Sequence, residues 1–440
     1  MVKKVSFSPT HPRRAGTRRL PIAEIIAVGS ELLLGGRTDS NSLLITEGLA
    51  SLGIEVRFKS IVGDDRADIV RALKAAVSRA KVIVMTGGLG PTVDDCTREA
   101  IAAAAGRRLA RRKEAYEAMK MRLAQWGRSP NKGQLRQALI PAGATVVFNP
   151  IGSAPGFWLS WRGVMVVSLP GVPAEMAAMM RESVVPQLES QLMGRDHRPQ
   201  PIGRHVFHTW GLPEAEVDAK LQGLISKSAP VDLGLLASPS GVLVSLTAKP
   251  RSRAAAEILT ALSESVRARL QEWIFAEGSE SMEEVIGKLL LKDKRTLALA
   301  ESCTGGLVGH RLTQVPGSSA YLDRGIICYS NKAKIELLGV PGNLLERHGA
   351  VSAEVAAAMA KGVRERSGVS IGLSVTGIAG PSGATATKPV GLVYIGLNAD
   401  NGDTVTREHR FHGDRSVIKQ RSSQAALDLL RRWLLKQSAS

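Results

Sequence analysis

From Ala23 onward, short apolar runs alternate with segments whose apolar residues recur every three or four positions. Glu24–Val28, Ile54–Val62 and Val82–Met85 read as strands, and between them Ser42–Leu52 and Ala67–Ala80 carry helical spacing. That alternation predicts a parallel sheet with crossover helices. It continues through Ala138–Phe148 and Val164–Leu169, the latter ending in Pro170-Gly171. A first domain therefore spans about residues 21–175.

The rhythm changes at Arg204. His205–Trp210 reads as a strand, Ala215–Ile225 as a helix, Leu233–Ala248 as a hairpin turning at Pro239-Ser240-Gly241, and Arg253–Trp273 as a helix. With a linking helix this small α+β module covers residues 176–278. A third domain, residues 279–440, opens with an amphipathic helix near Met282. Strand Thr296–Ala300, helix Gly305–Gln314, strand Gly325–Tyr329, helix Ala353–Glu365 and strand Ser370–Val375 follow. Val390–Leu397 and Val405–Phe411 look like antiparallel strands, and Ser416–Leu435 is a closing helix. The chain carries no repeat at solenoid periods.

Composition narrows the class. At 440 residues the chain has room for two to four domains. Gly is frequent at 44 residues while Phe, Trp and Tyr total only 17, which favours Ala/Val/Leu α/β packing over an aromatic-rich β fold. No apolar run approaches the roughly 18 residues of a membrane span. Met1–Leu20 is basic without the apolar centre of a secretory signal. Cys96, Cys303 and Cys328 are too far apart for a CxxC knuckle and too few for a disulfide framework. The expectation is a cytoplasmic protein with no membrane partner.

Net charge is +18, of which +6 falls in residues 1–20, read as a disordered basic tail. The rest is dispersed, without basic blocks interleaved with aromatics. It suits anionic small ligands and argues against a nucleic-acid partner.

Three loops of the first domain carry chemistry. Val82–Met85 runs into Thr86-Gly87-Gly88-Leu89-Gly90-Pro91-Thr92-Val93-Asp94-Asp95 and then a helix. A Gly-rich strand-to-helix turn lets backbone N–H groups approach a phosphate. Asp94 and Asp95 could hold a divalent metal bridging such phosphates, or cap the following helix. Gly29-Ser30-Glu31 with the stretch to Asn41 leaves the first strand, and Asn149–Gly156 leaves a later one. Loops at the carboxyl ends of parallel strands share a rim, so these should converge on one crevice.

In the last domain Thr296–Ala300 runs into Glu301-Ser302-Cys303-Thr304-Gly305-Gly306. A nucleophile at such a turn lies beside backbone donors for an oxyanion. Ser302, Cys303 and Thr304 are the candidates. A base for Ser302 comes from Tyr329-Ser330-Asn331-Lys332-Ala333-Lys334, where Lys332 or Lys334 could aim back at the turn if desolvated. Thr376-Gly377-Ile378-Ala379-Gly380-Pro381 is a further Gly-rich loop, and Arg415 opens the last helix, able to fork onto a phosphate. The histidines show no HExxH spacing and read as surface residues.

These segments, in this order, resemble the CinA (competence/damage-inducible) family over about residues 22–436. The resemblance implies an N-terminal three-layer α/β/α molybdopterin-binding-like domain, a KH-like α+β middle module and a C-terminal α/β nicotinamide-nucleotide amidase domain. Motifs supporting it include Leu169-Pro170-Gly171-Val172-Pro173-Ala174-Glu175-Met176 and His348-Gly349-Ala350-Val351-Ser352. It further implies deamidation of nicotinamide mononucleotide without a cofactor, with Ser302 as nucleophile, Lys334 as base and Tyr329 as supporting hydroxyl. The other amidase positions it marks are Cys303, Thr304, Gly305, Gly306, Thr376, Gly377, Gly380 and Arg415.

For the first domain the resemblance implies divalent-metal-dependent cleavage of ADP-ribose, with Asp94 and Asp95 at the metal. Gly29, Glu31, Asn41, Gly87, Gly88, Gly90, Gly156 and Glu175 would surround the ligand. A homodimer is the expected assembly. The chain departs from the family pattern at Ser382 and Ala384, where Asp and Gly are usual. Two rivals stand beside this reading: a pterin-cofactor binding protein and a nucleic-acid-associated competence or damage-response factor. Against the second, residues 200–275 contain no GXXG loop of the kind a KH domain needs for RNA.

Overall fold

The computed structural model describes residues 21–192, 202–226, 229–248 and 255–439. The basic segment 1–20 lies outside them. The described chain forms two compact units, divided between Ile202 and Gly203.

The first unit is a six-stranded sheet in which Glu55–Val62, Ile22–Val28, Val82–Thr86 and Val164–Leu169 run parallel in that spatial order. Gly156–Trp161 and Thr145–Val147 complete it antiparallel, so the sheet is mixed rather than parallel throughout. The cause is local. Trp161 pairs with Val164 across Arg162-Gly163, both with positive φ, a two-residue turn that returns the chain antiparallel. Ala138–Phe148, expected as one element, breaks into Leu139–Pro141 and Thr145–Val147 around Gly143.

Apolar residues of the central strands point alternately to two cores. Ile26, Ile83 and Met85 meet Ile69 and Leu73 of the helix Arg66–Arg79 on one face. Ile25, Val82 and Val84 meet Ile45 and Leu49 of the helix Asn41–Ser51 on the other. The layers are therefore α/β/α, and the parallel strands all end at one rim. Met176, Met179, Met180 and Leu188 pack into this second core. The boundary drawn at residue 175 thus falls inside the helix Pro173–Met179, and the segment to residue 192 belongs with the first unit.

The second unit holds both remaining parts. Residues 204–277 form a four-stranded antiparallel sheet backed by the helices Glu214–Leu221 and Ala255–Leu270. Its hairpin turns where Ser238 pairs with Gly241, as the sequence indicates.

The last part is a five-stranded sheet with Leu297–Glu301 at its second position, parallel to Leu322–Ile327 and Ile371–Gly377. Leu392–Ala399 and Thr404–Arg410 follow antiparallel. The helix Ala353–Ser367 covers one face, and Met282–Lys292, Leu307–Thr313 and Arg415–Ala439 contribute to the other core. Among the described residues no helix is long and apolar enough to cross a membrane.

Candidate active site

The strand Leu297–Glu301 is buried along its whole length and ends in an acid, Glu301. The Glu301 carboxylate accepts from the N–H groups of Gly306 (2.9 Å), Val308 (3.1 Å) and Gly309 (2.8 Å). These are donors that a helix start leaves unpaired, and an acid there also suits the helix dipole. The turn between, Ser302–Gly306, is thereby fixed at both ends. Gly305 and Gly306 take φ of 63° and 93°, which glycine accepts without strain. Glu301 is a positioning residue that the sequence reading passed over. Its signal was an acid closing an apolar strand just before a helix start.

Ser302 sits in this turn with its N–H on the Val375 carbonyl at 2.9 Å. Its Oγ lies 3.0 Å from Nζ of Lys334. Lys334 is 1% exposed and belongs to the helix Asn331–Leu338, whose start Ser330 caps through the Ala333 N–H. Nζ also meets the carbonyls of Cys328 (3.0 Å) and Tyr329 (3.3 Å). Among the described residues no carboxylate contacts it, and burial lowers its pKa from the ordinary lysine value.

As it stands Nζ donates to the Ser302 hydroxyl oxygen and to the two carbonyls; once the amine is neutral, two N–H bonds can stay on the carbonyls and the lone pair can take the serine proton. Lys332, the alternative base, is exposed and loosely paired with Glu336 at 3.7 Å. Of the two lysines, only Lys334 reaches the turn.

Cys303 turns away into the hydrophobic core, and burial pushes its thiol up to about 12. Cys328 is likewise pushed up to about 11. Neither is a thiolate at neutral pH, and only the backbone of Cys303 remains as a substrate contact. Its N–H and that of Thr304 make no backbone–backbone hydrogen bond among the described residues and lean only on the Cys303 sulfur. They are the available oxyanion donors.

The Thr376 hydroxyl donates to the Ala350 carbonyl at 2.7 Å, which leaves it only its acceptor lone pairs for a ligand. Gly377 answers a packing need, since a Cβ there would stand 2.8 Å from the Leu392 carbonyl. The Gly380 carbonyl accepts from Arg415 Nη1 at 2.7 Å, and Arg415 Nη2 donates to the Tyr329 hydroxyl at 2.9 Å. One helical turn on, Lys419 places Nζ 3.7 Å from where a Gly305 Cβ would be. Sequence reasoning missed Lys419; its one cue was the four-residue spacing from Arg415.

In the first unit the predicted convergence occurs. A cavity of about 550 Å³ at the strand ends is lined by Gly29, Glu31, Gly87–Gly90, Asp94 and Glu175. A smaller one of about 320 Å³ adjoins it at Glu31, lined also by Asn41 and Thr86. Asn41 spends Nδ2 on Thr86 Oγ1 and the Gly171 carbonyl, both 2.9 Å, and leaves its buried Oδ1 without a partner. Glu175 accepts from Asn149 Nδ2 at 2.6 Å. Gly156 is different: it lies inside a strand, where a Cβ would stand 2.5 Å from the Ser168 carbonyl. It serves strand packing rather than the ligand.

Asp94 and Asp95 are unequal. Asp95 folds back on its own loop, accepting from the N–H groups of Gly90 and Thr92, both at 2.8 Å. Both line the cavity, but Asp94 makes none of these loop contacts; the Thr92 hydroxyl, which donates to Asp95 Oδ2, also lies by Asp94 and holds its carboxyl below the usual range. Among the described residues no three His, Cys, Asp or Glu side chains form a metal cage. Of the pair, Asp94 is the less engaged and the better placed to meet a divalent cation, with Glu31, Asp64 and Glu175 also on the cavity wall.

Residues 24–190 match the family described as "Probable molybdopterin binding domain", 204–276 the "Damage-inducible protein CinA KH domain" and 279–434 the "CinA C-terminal domain". A CinA-like protein of Geotalea uraniireducens is 43% identical over 411 residues, covering 93% of this chain and 97% of its own. One of Thermosynechococcus vestitus is 42% identical over 421 residues, covering 94% and 99%. Among solved structures, a competence/damage inducible protein of Agrobacterium tumefaciens is 39% identical, covers 36% of this chain and 97% of its own, and superposes with a TM-score of 0.34.

Proposed function

This chain belongs to the CinA family, and on that premise we propose that its C-terminal domain is a Ser–Lys amidase converting nicotinamide mononucleotide to nicotinate mononucleotide and ammonia. The observation that carries the chemistry is the 3.0 Å approach of a buried, carboxylate-free Lys334 to Ser302 Oγ. The substrate comes from the resemblance to nicotinamide-nucleotide amidases, and the acid-free cations Arg415 and Lys419 near the nucleophile suit a phosphorylated substrate.

In the first half-reaction Lys334 takes the Ser302 proton as Oγ attacks the carboxamide carbon. The developing oxyanion meets the N–H groups of Cys303 and Thr304. Lys334 returns the proton to the leaving nitrogen, the C–N bond breaks and ammonia departs. In the second half-reaction a water gives its proton to Lys334 and attacks the acyl ester. The carboxylate product leaves and Ser302 recovers its proton. Ammonia release from nicotinamide mononucleotide by the full chain tests the reading; a folded wild-type protein that releases none overturns it.

A second reading concerns the first domain: hydrolysis of ADP-ribose at its pyrophosphate. It is favoured by the cavity, which sets a Gly-rich backbone turn and the Asp94 carboxylate on one rim. A divalent cation bound there would neutralise phosphate charge, while the chain's own part is to hold and orient the pyrophosphate. Formation of AMP and ribose 5-phosphate tests it.

A further inference from the structure

Thr97 ties the Gly-rich loop of the first domain down from one side. Its Oγ1 donates to the Gly87 carbonyl at 3.0 Å and its N–H to the Gly88 carbonyl at 3.2 Å. In a trans peptide the N–H points opposite to the C=O. The N–H groups of Gly88 and Leu89 therefore turn away from Thr97, and neither enters a hydrogen bond among the described residues. The backbone allows this only with glycine. Gly87 and Gly88 take φ of 103° and 64°, and a Cβ on Gly87 would stand 2.0 Å from the Val28 carbonyl.

The next two carbonyls face inward, where Arg98 donates Nη1 to Leu89 O (2.7 Å) and Nη2 to Gly90 O (2.8 Å). Arg98 is 1% exposed, and its Nε has no partner. No carboxylate among the described residues is within ion-pair distance of it, though Glu99 and Asp95 act on it through space against the burial that lowers its pKa. Both acids are shared: Asp95 accepts from the loop N–H groups, and Glu99 binds Arg136 at 3.0 Å with its Oε2 buried and unpartnered. A guanidinium stays charged in a protein, and with its nearest acids divided in this way the buried charge is only partly compensated.

We propose that an anionic ligand completes the compensation: Arg98 is a positioning residue that sets a buried positive charge behind the Gly87–Gly90 loop, so that the loop takes a pyrophosphate. This rests on the loop being the phosphate site of the second reading above, but not on ADP-ribose being cleaved there. The same arrangement disfavours a neutral ligand group at the loop.

Calorimetric titration of the full chain with inorganic pyrophosphate, at low and moderate salt, tests it alongside Arg98→Met and Arg98→Lys. Circular dichroism melting establishes that each variant is folded. Wild type is expected to bind with an affinity that falls with salt. Folded Arg98→Met should bind about tenfold or more weakly, the scale of one charge lost near an anion in a partly desolvated site. Arg98→Lys, which keeps the charge without the fork, should lose much less.

Wild-type-like binding by folded Arg98→Met overturns the proposal. Equal losses in both variants also overturn it, because the fork and not the charge would then matter. If Arg98→Met does not fold, Arg98→Lys decides: retained salt-dependent binding supports the charge, and its loss overturns it. A wild type that binds no pyrophosphate at all overturns it too. Pyrophosphate binding without ADP-ribose cleavage defeats only the enzymatic reading of that domain.

Discussion

Arg415 reaches from the first turn of the last helix to the phenol of Tyr329, Nη2 lying 2.9 Å from the hydroxyl oxygen. The contact ties the loop that leads into the Lys334 helix to the helix that carries Arg415 and Lys419. Lys419, one turn further, completes a pair that has no acid partner among the described residues, with Nζ beside Gly305.

The first prediction follows from this pair. Lys419→Ala should raise KM for nicotinamide mononucleotide about tenfold, the scale of one charge-assisted hydrogen bond, while leaving kcat largely intact. Nicotinamide riboside, which has no phosphate, should show almost no change. Arg415→Ala should do the same and also lower kcat, because it frees Tyr329. Steady-state ammonia release with both substrates reads the split; equal losses on both would remove the phosphate role.

The second prediction concerns pH. The folded-state pKa of Lys334 is depressed by burial, so the neutral amine is populated at a lower pH than in a free lysine. Activity should rise with pH through that depressed value and fall as pH drops below it. Stability follows the same sign. Between the depressed value and the ordinary lysine value the unfolded chain binds the extra proton, so stability rises with pH across that window and is lost as pH falls. Lys334→Met should abolish turnover yet melt a few degrees higher at pH 7, since it relieves a buried amine. A pH–rate profile and melting curves check both; a melting point below wild type at pH 7 would count against the buried amine's cost.

A third expectation separates the adjacent nucleophiles. Cys303→Ala should keep most ammonia release, at a cost of about 1 kcal/mol or more in stability from the cavity left in the core. Iodoacetamide at neutral pH should leave turnover unchanged, because the thiol is pushed up to about 12 and buried. Inactivation by the reagent, protected by substrate, would point instead to a thiol mechanism.

How far the sequence foretold these features depended on whether a cue was local. The parallel strands and their crossover helices were legible because apolar runs and helical spacing alternate from Ala23 to Met85, while the antiparallel return before Leu169 was not. The turn at Ser302 and the helix start at Ser330 were legible for the same reason, each lying at a junction of two periodicities. Lys334 could not be separated from Lys332 by spacing alone. What separates them is that one side of the helix Asn331–Leu338 faces the strand ends, leaving Lys334 buried and Lys332 exposed.

The Thr376 hydroxyl donates to Ala350, 26 residues away in sequence, a pairing that no local pattern announces. Gly156 looked like part of a ligand loop because Gly and Pro precede it, yet the demand it meets is the Ser168 carbonyl on the neighbouring strand. Asp95 was open between a metal ligand and a cap on sequence grounds, and the loop's own N–H groups claim it.

A fourth prediction distinguishes the two domains by metal. EDTA should abolish any ADP-ribose cleavage while ammonia release continues, because the Ser302–Lys334 step as drawn moves its proton between protein groups only. Asp94→Asn should lower ADP-ribose turnover through loss of the cavity-facing carboxylate. Asp95→Asn should act more through the loop, seen as a lower melting point, since it weakens two backbone contacts. Turnover and melting that are the same in both variants would show that the two acids are not divided in this way.

The central claim is that Ser302 and Lys334 act as one catalytic unit. The most direct measurement is ammonia release from nicotinamide mononucleotide by wild type, Ser302→Ala, Lys334→Ala and the double variant, each shown to be folded. Members of one unit fail together, so each single variant should lose at least about a thousandfold and the double should lose little more than either. Substantial activity in Ser302→Ala, or losses in the singles that multiply in the double, would contradict the account.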